Sequence, residues 1–347
     1  MATLKDVAEH CGVSVATVSL VLNEAPWSKH VAADTKKRVL QAARQLGYRP
    51  DLVARSLRNR RSQNIGVVVF DITDPYCSLV LKGIEDRLYE DGYMPMIGDL
   101  QNDSRRFDRC VGMLTGRRME GLILIANPLY LESDIIELGR RLDAPLVIVG
   151  HALSPGTISS VTIDNSHGTR LVMEHLHGLG HRKFAFIRGP KGMVDSEPRW
   201  RGMAEFIGAA GLFIDPDLVV DIEGLNSSYE ECYRLTERLL PRKRDFTALA
   251  AFDDLSAFAA IGALAKAGLR VPQHVSVTGF DDIPGAGFYN PPLTTVRQAM
   301  EHQGTIAAET IAAMISRREE QKKPKPIHRA VIPQLIVRDS TTTPTAR

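Results

Sequence analysis

Apolar residues recur along the first fifty positions in steps of three and four, and beyond them in short unbroken runs. Leu4, Val7 and Ala8 form a stripe that ends at Gly12, Val18, Val21 and Leu22 form a second, and Val39, Ala42, Ala43 and Leu46 a third. That spacing predicts three amphipathic helices, the last from about Asp34 to Leu46, closing a small unit around their inner faces. Thr3 followed by Asp6 is an S/T-x-x-D start signal, and Ser14 is placed to cap the second helix. Between the first two helices lies a tight Gly-Val-Ser turn, giving TLKDVAEHCGVSVATVSLVLN (3–23) the spacing of a helix-turn-helix. In that motif the second helix enters the DNA major groove and offers its N-terminal residues to base edges. Here the edge left for a partner is Val15, Ala16, Ser19 and Leu20.

From Asn64 the pattern changes. NIGVVVFDI (64–72) is a continuous apolar run of the kind that a strand buried on both faces requires. Further strands are expected at about 94–98, 121–126 and 145–149, and a second series at about 183–189, 217–221, 247–252 and 274–280, with amphipathic helices between them. Strands alternating with helices predict βαβ units and mainly parallel sheets, and two series predict two α/β lobes. Ligands of open parallel sheets sit beyond the carboxyl ends of the strands, so two facing lobes imply a ligand cleft between them.

Charge sharpens the division. Residues 1–61 hold 11 Lys/Arg against 5 Asp/Glu, whereas the remainder holds 32 against 36, so a near-neutral total hides a basic head on an acidic body. A basic head fits phosphate binding, which releases counterions and supplies most non-specific affinity for DNA. The length of 347 residues suits two to three domains. The four cysteines, Cys11, Cys77, Cys110 and Cys232, are scattered without a CxxC and are expected to be free thiols. No signal peptide and no long apolar run is present, so a cytoplasmic protein without a membrane partner is expected.

The head, the hinge YRPDLVARSL, the DPY loop after the first strand, HLHGLGHRKFAFIRGP, GLRVPQHVSVTGFDDI, PPLTTVRQ and the closing LIVRDST together resemble the LacI/GalR family of bacterial transcription regulators. The resemblance covers essentially the whole chain. It implies an N-terminal three-helix helix-turn-helix domain (1–48), a hinge helix and linker (49–62), a two-lobe core like the periplasmic sugar-binding proteins (63–340) and a polar tail (341–347). The core would cross between lobes three times, with lobe 1 at about 63–161 and 292–320 and lobe 2 at about 162–291 and 321–340. A homodimer that binds double-stranded operator DNA and answers to a small-molecule effector, most often as a repressor, is implied as well.

By the same resemblance Val15, Ala16 and Leu20 read bases, and Ser14, Thr17, Ser19 and Asn23 hold phosphates. Small apolar readers can pack on a thymine methyl but lack the hydrogen-bond donors of a bidentate contact. Ala54, Arg55 and Leu57 of the hinge map to the minor-groove contacts, with Leu57 as the wedge that unstacks a base step at the operator centre. Two departures from the family are Asp51, where Asn is usual, and a longer loop at Glu24–His30 that brings in Trp27 and Lys29.

Effector positions map to Asp74, Tyr76, Asn127, Arg199, Asp253, Asp281 and Gln298. Asp and Arg suit sugars because each can hold two adjacent hydroxyls, while an aromatic covers the apolar face of the ring. Asp253 also suits a plain helix cap. Purine-responsive relatives sandwich a base between two aromatics; here one such position is Cys77 and the other falls within Leu225–Ser227. A carbohydrate is therefore the expected effector and a purine the alternative. His175, His177 and His181 lack the Cys or carboxylate partners of a zinc set, and RGPKG lacks the ending of a phosphate loop, so neither a metal nor a cofactor is expected. An exported sugar receptor would need no DNA-binding head, and an enzyme would need an acid–base pair for which Asp253 with Asp281 is the one candidate. Neither is the expected reading, and DSTTTPTAR lacks the heptad leucines of a tetramerising helix.

Overall fold

The computed structural model describes residues 2–23, 26–48, 61–117, 119–125, 132–153, 158–224, 226–240, 245–320 and 325–345. The chain divides into two units, Met1–Ser62 and Gln63–Arg347. In the first, α1 (Leu4–Cys11), α2 (Val15–Leu22) and α3 (Ala33–Gln45) bury Val7, Ala8, Cys11, Val18, Val21, Val39, Ala42 and Ala43. Thr3 and Asp6 form a reciprocal capping box at the start of α1. At its end Gly12 stands at φ 63°, a left-handed turn that glycine adopts without a Cβ penalty. A short 3-10 turn, Pro26–His30, joins α2 to α3.

The second unit runs β1 (Asn64–Val69), α4 (Pro75–Glu90), β2 (Met94–Asp99), α5 (Phe107–Gly116), β3 (Gly121–Ile125), α6 (Glu132–Arg141), β4 (Leu146–Val149), β5 (Ser159–Ile163), α7 (Asn165–Gly178), β6 (Phe184–Arg188), α8 (Ser196–Ala209), β7 (Val219–Asp221), α9 (Tyr229–Leu239), β8 (Ala248–Ala250), α10 (Asp254–Lys266), β9 (Ser276–Thr278), β10 (Thr295–Arg297), α11 (Met300–Glu319), β11 (His328–Val331) and β12 (Gln334–Ile336). One sheet, in the order β11-β5-β4-β3-β1-β2, is parallel throughout, and so is the second, β7-β6-β8-β9. The pair β10-β12 is antiparallel. Burial on both sheet faces explains the unbroken apolar runs. Ile65, Val67 and Val69 of β1 pack under α4 and α11, while Val68 on its other face packs with residues of α5 and α6. The second sheet is layered in the same way, by α9 and α10 on one side and α7 and α8 on the other.

The chain passes from the first sheet to the second after β5, returns into α11, which packs on the first sheet, and leaves again after β11. Two of these crossings differ from the expected boundaries. Leu293 and Val296 pack with the second lobe, so the return falls near Met300 rather than at 292. Segment 321–340 does not lie wholly in lobe 2, because β11 pairs in parallel with β5 in the first sheet, from His328 opposite Ser160 to Val331 opposite Ile163. β11 is the least apolar strand of that sheet, with His328, Arg329 and Ala330 exposed, which is why its hydrophobic pattern did not claim it for the core. Residues 341–345 lie against lobe 2: His181 is within hydrogen-bond distance of the Thr342 carbonyl, at 2.8 Å, and Thr345 Oγ1 donates to Gln273 O at 3.1 Å.

Candidate functional site

In the first unit Ser14 Oγ accepts from Thr17 N at 3.1 Å and lies 2.9 Å from Thr17 Oγ1, so the predicted cap exists. At the other end of α2 Asn23 Nδ2 donates to Ser19 O at 2.7 Å and to Ser19 Oγ at 3.2 Å. The four residues expected at phosphates are therefore tied in pairs to the two ends of one helix. Val15 and Ala16 are exposed and Leu20 is half-buried, while Val18 and Val21 turn inward, which leaves an apolar reading edge. Trp27, 70% exposed, leans on His30 with ring centroids 5.6 Å apart. Ala54, Arg55 and Leu57, together with Asp51, lie outside the described residues, as does Asn127 in the core.

In the second unit a cavity of about 840 Å3, part of it open to solvent, lies between the carboxyl ends of the two sheets. Asp74, Tyr76, Arg199, Asp253, Asp281 and Gln298, six of the seven expected effector residues, line it. Each comes from just past a strand: Asp74 after β1, Asp253 after β8, Asp281 after β9 and Gln298 after β10. Arg199 stands in the first turn of α8, after β6.

Arg199 is 3% exposed and organises the floor. Its Nε donates to Asn165 Oδ1 at 3.0 Å and its Nη1 to Phe252 O at 2.8 Å. Nη2 meets Asp195 Oδ2 at 2.7 Å and Asp281 Oδ1 at 3.4 Å. Its guanidinium is also packed over the rings of Phe280 and Phe252, at 3.8 and 4.6 Å from their centroids. A guanidinium has five N–H donors, and most of these already face protein acceptors. Asp281 also accepts from Gln298 Nε2 and stands at φ 122°, a backbone region that side chains rarely adopt and that gathers at functional sites.

Tyr76 donates its hydroxyl to Gln303 at 3.2 Å, and Gln303 Nε2 donates to Gln298 O at 2.8 Å, so the tyrosine is anchored by its polar end to α11. Asp74 caps α4, its Oδ1 accepting from Tyr76 N at 2.8 Å and Cys77 N at 3.3 Å. Asp253 caps α10 through Ser256 N at 2.7 Å while still lining the cavity, so cap and wall are the same residue. Burial holds the Asp74 carboxyl up at about 6 against the pull of the Cys77 and Tyr76 amides, with the charges of Asp253 and Asp71 adding to the rise. Burial also pushes Asp281 well above the usual carboxylate range, with Arg199 pulling down and Asp253 and Asp254 pushing up. Asp254 lies behind the wall, fully buried, accepting from Ile283 N at 2.9 Å and from Thr295 Oγ1, and burial raises it to about 8.

Several lining residues did not emerge from the sequence. Asn165 holds Arg199, and Asp195 pairs with it. Asn226 and Ser227 stand where the sequence placed one of two possible aromatic partners. Asp195 Oδ1, Asn226 Oδ1 and Ser227 Oγ are buried without a hydrogen-bond partner among the described residues. All belong to segments following a strand, the one signal that could have found them. Cys77, the other candidate stacking position, is instead fully buried in the core on the inner face of α4.

The three histidines of HLHGLGH serve the fold. His175 Nε2 lies 2.9 Å from Thr341 Oγ1, and His181, 1% exposed, sits between Thr247 Oγ1 and the Thr342 carbonyl, each at 2.8 Å. His177 meets the Phe206 ring edge-on.

Comparison with known proteins matches residues 3–51 to the bacterial regulatory proteins of the lacI family and 173–341 to a periplasmic binding protein-like domain. The chain is 34% identical over 341 residues to the HTH-type transcriptional repressor PurR of Haemophilus influenzae (strain PittEE), covering 98% of each chain. It is 31% identical over 340 residues to the PurR of Pasteurella multocida (strain Pm70), again covering 98% of each. Among solved structures it is similar to the lac repressor dimer bound to operator and the anti-inducer ONPF, with a TM-score of 0.85, 27% identity and coverage of 98% of this chain and 99% of that one. The complex of the transcriptional regulator CelR with cellobiose gives a TM-score of 0.72 at 29% identity, over 98% of this chain and 100% of that one.

Proposed function

This chain belongs to the LacI family of bacterial regulatory proteins, and we propose that a carbohydrate bound between its two lobes sets how tightly a homodimer grips operator DNA. It is a DNA-binding transcriptional repressor by family; the effector class, the residues that hold it and the dimer are this proposal. The observation that carries it is the cavity floor. Arg199 and Asp281 are locked together at the junction of the lobes, and the lining residues Asp195, Asn226 and Ser227 carry buried oxygens without a partner among the described residues. A polyhydroxylated ring supplies the donors those oxygens lack, and Tyr76, with its hydroxyl tied away, offers a ring face to its apolar side. Gln298, just ahead of α11, already donates to Asp281, so a ligand held there bears on the point where the chain returns from lobe 2 to lobe 1.

In the head, Val15, Ala16 and Leu20 are the base readers and Ser14, Thr17, Ser19 and Asn23 the phosphate contacts. Leu57 is the hinge wedge, working as a pair when two hinges meet over one operator centre. Leu57→Ala should then cut operator affinity far more than affinity for random duplex, as measured by fluorescence anisotropy; equal losses on both would refute the wedge.

A purine is the second reading, favoured by the relatives named PurR. The cleft speaks against it, since Cys77 is sealed in the core and polar Asn226 and Ser227 line the cavity. A thermal-shift screen of the protein against mono- and disaccharides and nucleobases decides between them, because a ligand that binds only the folded state raises the melting temperature. A sugar hit supports the proposal, and a nucleobase hit replaces it.

A further inference from the structure

We infer that this cleft selects its effector by charge, taking a donor-rich ligand that is neutral or carries an amine, an amino sugar best of all, and turning away sugars that bear a phosphate or a carboxylate. The inference rests on the carbohydrate reading and narrows it.

Among the described residues the lining holds four carboxyl side chains, Asp74, Asp195, Asp253 and Asp281, against one cationic side chain, Arg199. That cation is largely committed to the protein, with one of its five N–H donors left for a ligand. Two of the four carboxylates already pair with it, and its remaining partners are Asn165 and the Phe252 carbonyl. Among the described residues an anionic ligand would find no cation beyond the already paired Arg199, and it would face Asp74 and Asp253. The hydrogen-bonding pattern points the same way. Asp195 Oδ2 accepts from Arg199, while Asp195 Oδ1, like Asn226 Oδ1 and Ser227 Oγ of the same lining, is buried without a hydrogen-bond partner among the described residues. Two of these three atoms can only accept, and the serine hydroxyl can do either. Phosphate and carboxylate oxygens would oppose acceptor to acceptor at Asp195 Oδ1 and Asn226 Oδ1, whereas a hydroxyl or an ammonium brings donors, and a charge-assisted bond to Asp195 is the stronger kind. Burial and neighbouring carboxylates already hold Asp74 up at about 6, so the cleft resists further negative charge and gains from a cation.

The test is isothermal titration and thermal shift of the full-length protein against matched sets: glucose, glucosamine, glucuronate and glucose 6-phosphate; the four corresponding galactose compounds; ribose and ribose 5-phosphate; and adenine, hypoxanthine and guanine. In the set that binds, the amine should exceed the acid and the phosphate by roughly tenfold or more, with the neutral parent between them. An acid or phosphate that binds as well as its neutral parent overturns the charge rule while leaving the carbohydrate reading intact. Binding confined to nucleobases, or none across the panel, overturns the carbohydrate reading and this inference with it. Asp195→Asn keeps the side-chain shape and removes the charge, and it should bring amine and neutral parent within about threefold of each other. A preference for the amine that survives in that variant would overturn the assignment to Asp195.

Discussion

Arg199 shows how a buried charge becomes a scaffold for binding. Its guanidinium touches Asn165, Asp195, Asp281 and the Phe252 carbonyl, so its removal would leave two carboxylates and a carbonyl without their common donor. Arg199→Ala should therefore destabilise the core by about 3–5 kcal/mol in urea unfolding, and Arg199→Lys should recover little, since an ammonium lacks the planar fork. A loss below 1 kcal/mol would mean that the partners repair themselves. Asp254 makes a different prediction. Its carboxyl is raised to about 8 by burial from an ordinary 3.8, so between those values the folded core holds a proton that the unfolded chain does not. Stability from this residue is greatest at low pH and is lost as pH rises, by at most about 1.4 kcal/mol per pH unit. Melting temperatures from pH 5 to pH 8 should fall more steeply for the natural protein than for Asp254→Asn; parallel profiles would show that the group does not titrate in this window.

The elements themselves were largely readable from the sequence, because caps and periodicity are local. Thr3 with Asp6, Ser14 and Asp253 each sit at a helix start that the sequence implied, and the two series of strands fall where the apolar runs lie. Ser14→Ala removes one such cap and should lower the stability of the head by about 1 kcal/mol in a thermal melt, with operator affinity falling as α2 frays; an unchanged melt would deny the cap any energetic part. What could not be read was what only a neighbour defines. β11 has too few buried side chains to announce a core strand and takes its place by pairing with β5. Asn165 and Ser227 occupy positions at or beside the start of a helix, where polar residues serve as caps; Asn165 is nevertheless Arg199's acceptor, and Ser227 faces the cleft. Asp195 reads as one more acid before a helix until its partner at Arg199 is seen. The effector positions implied by family resemblance did converge on one cavity, Asn127 aside, and their convergence is a property of the two sheets facing each other.

At the scale of the whole molecule, three chain crossings join the lobes of the core, and the cavity lies between those lobes. A ligand that binds one arrangement of the lobes better than another shifts the balance between them by its differential affinity and no more. To take a repressor from mostly bound to mostly released that difference must reach about 5 kcal/mol. The central claim is that the cleft and the DNA-binding head are coupled. It is tested most directly by anisotropy titrations of the full-length protein onto a duplex selected from a random pool, with and without the sugar that stabilises the core, for the natural chain and for Asp281→Ala. The account predicts a change in operator Kd of at least roughly tenfold on adding the sugar to the natural chain and none in the variant, which should still bind the duplex. A sugar that binds the core yet leaves operator affinity unmoved, or a variant that responds as fully as the natural chain, would contradict it.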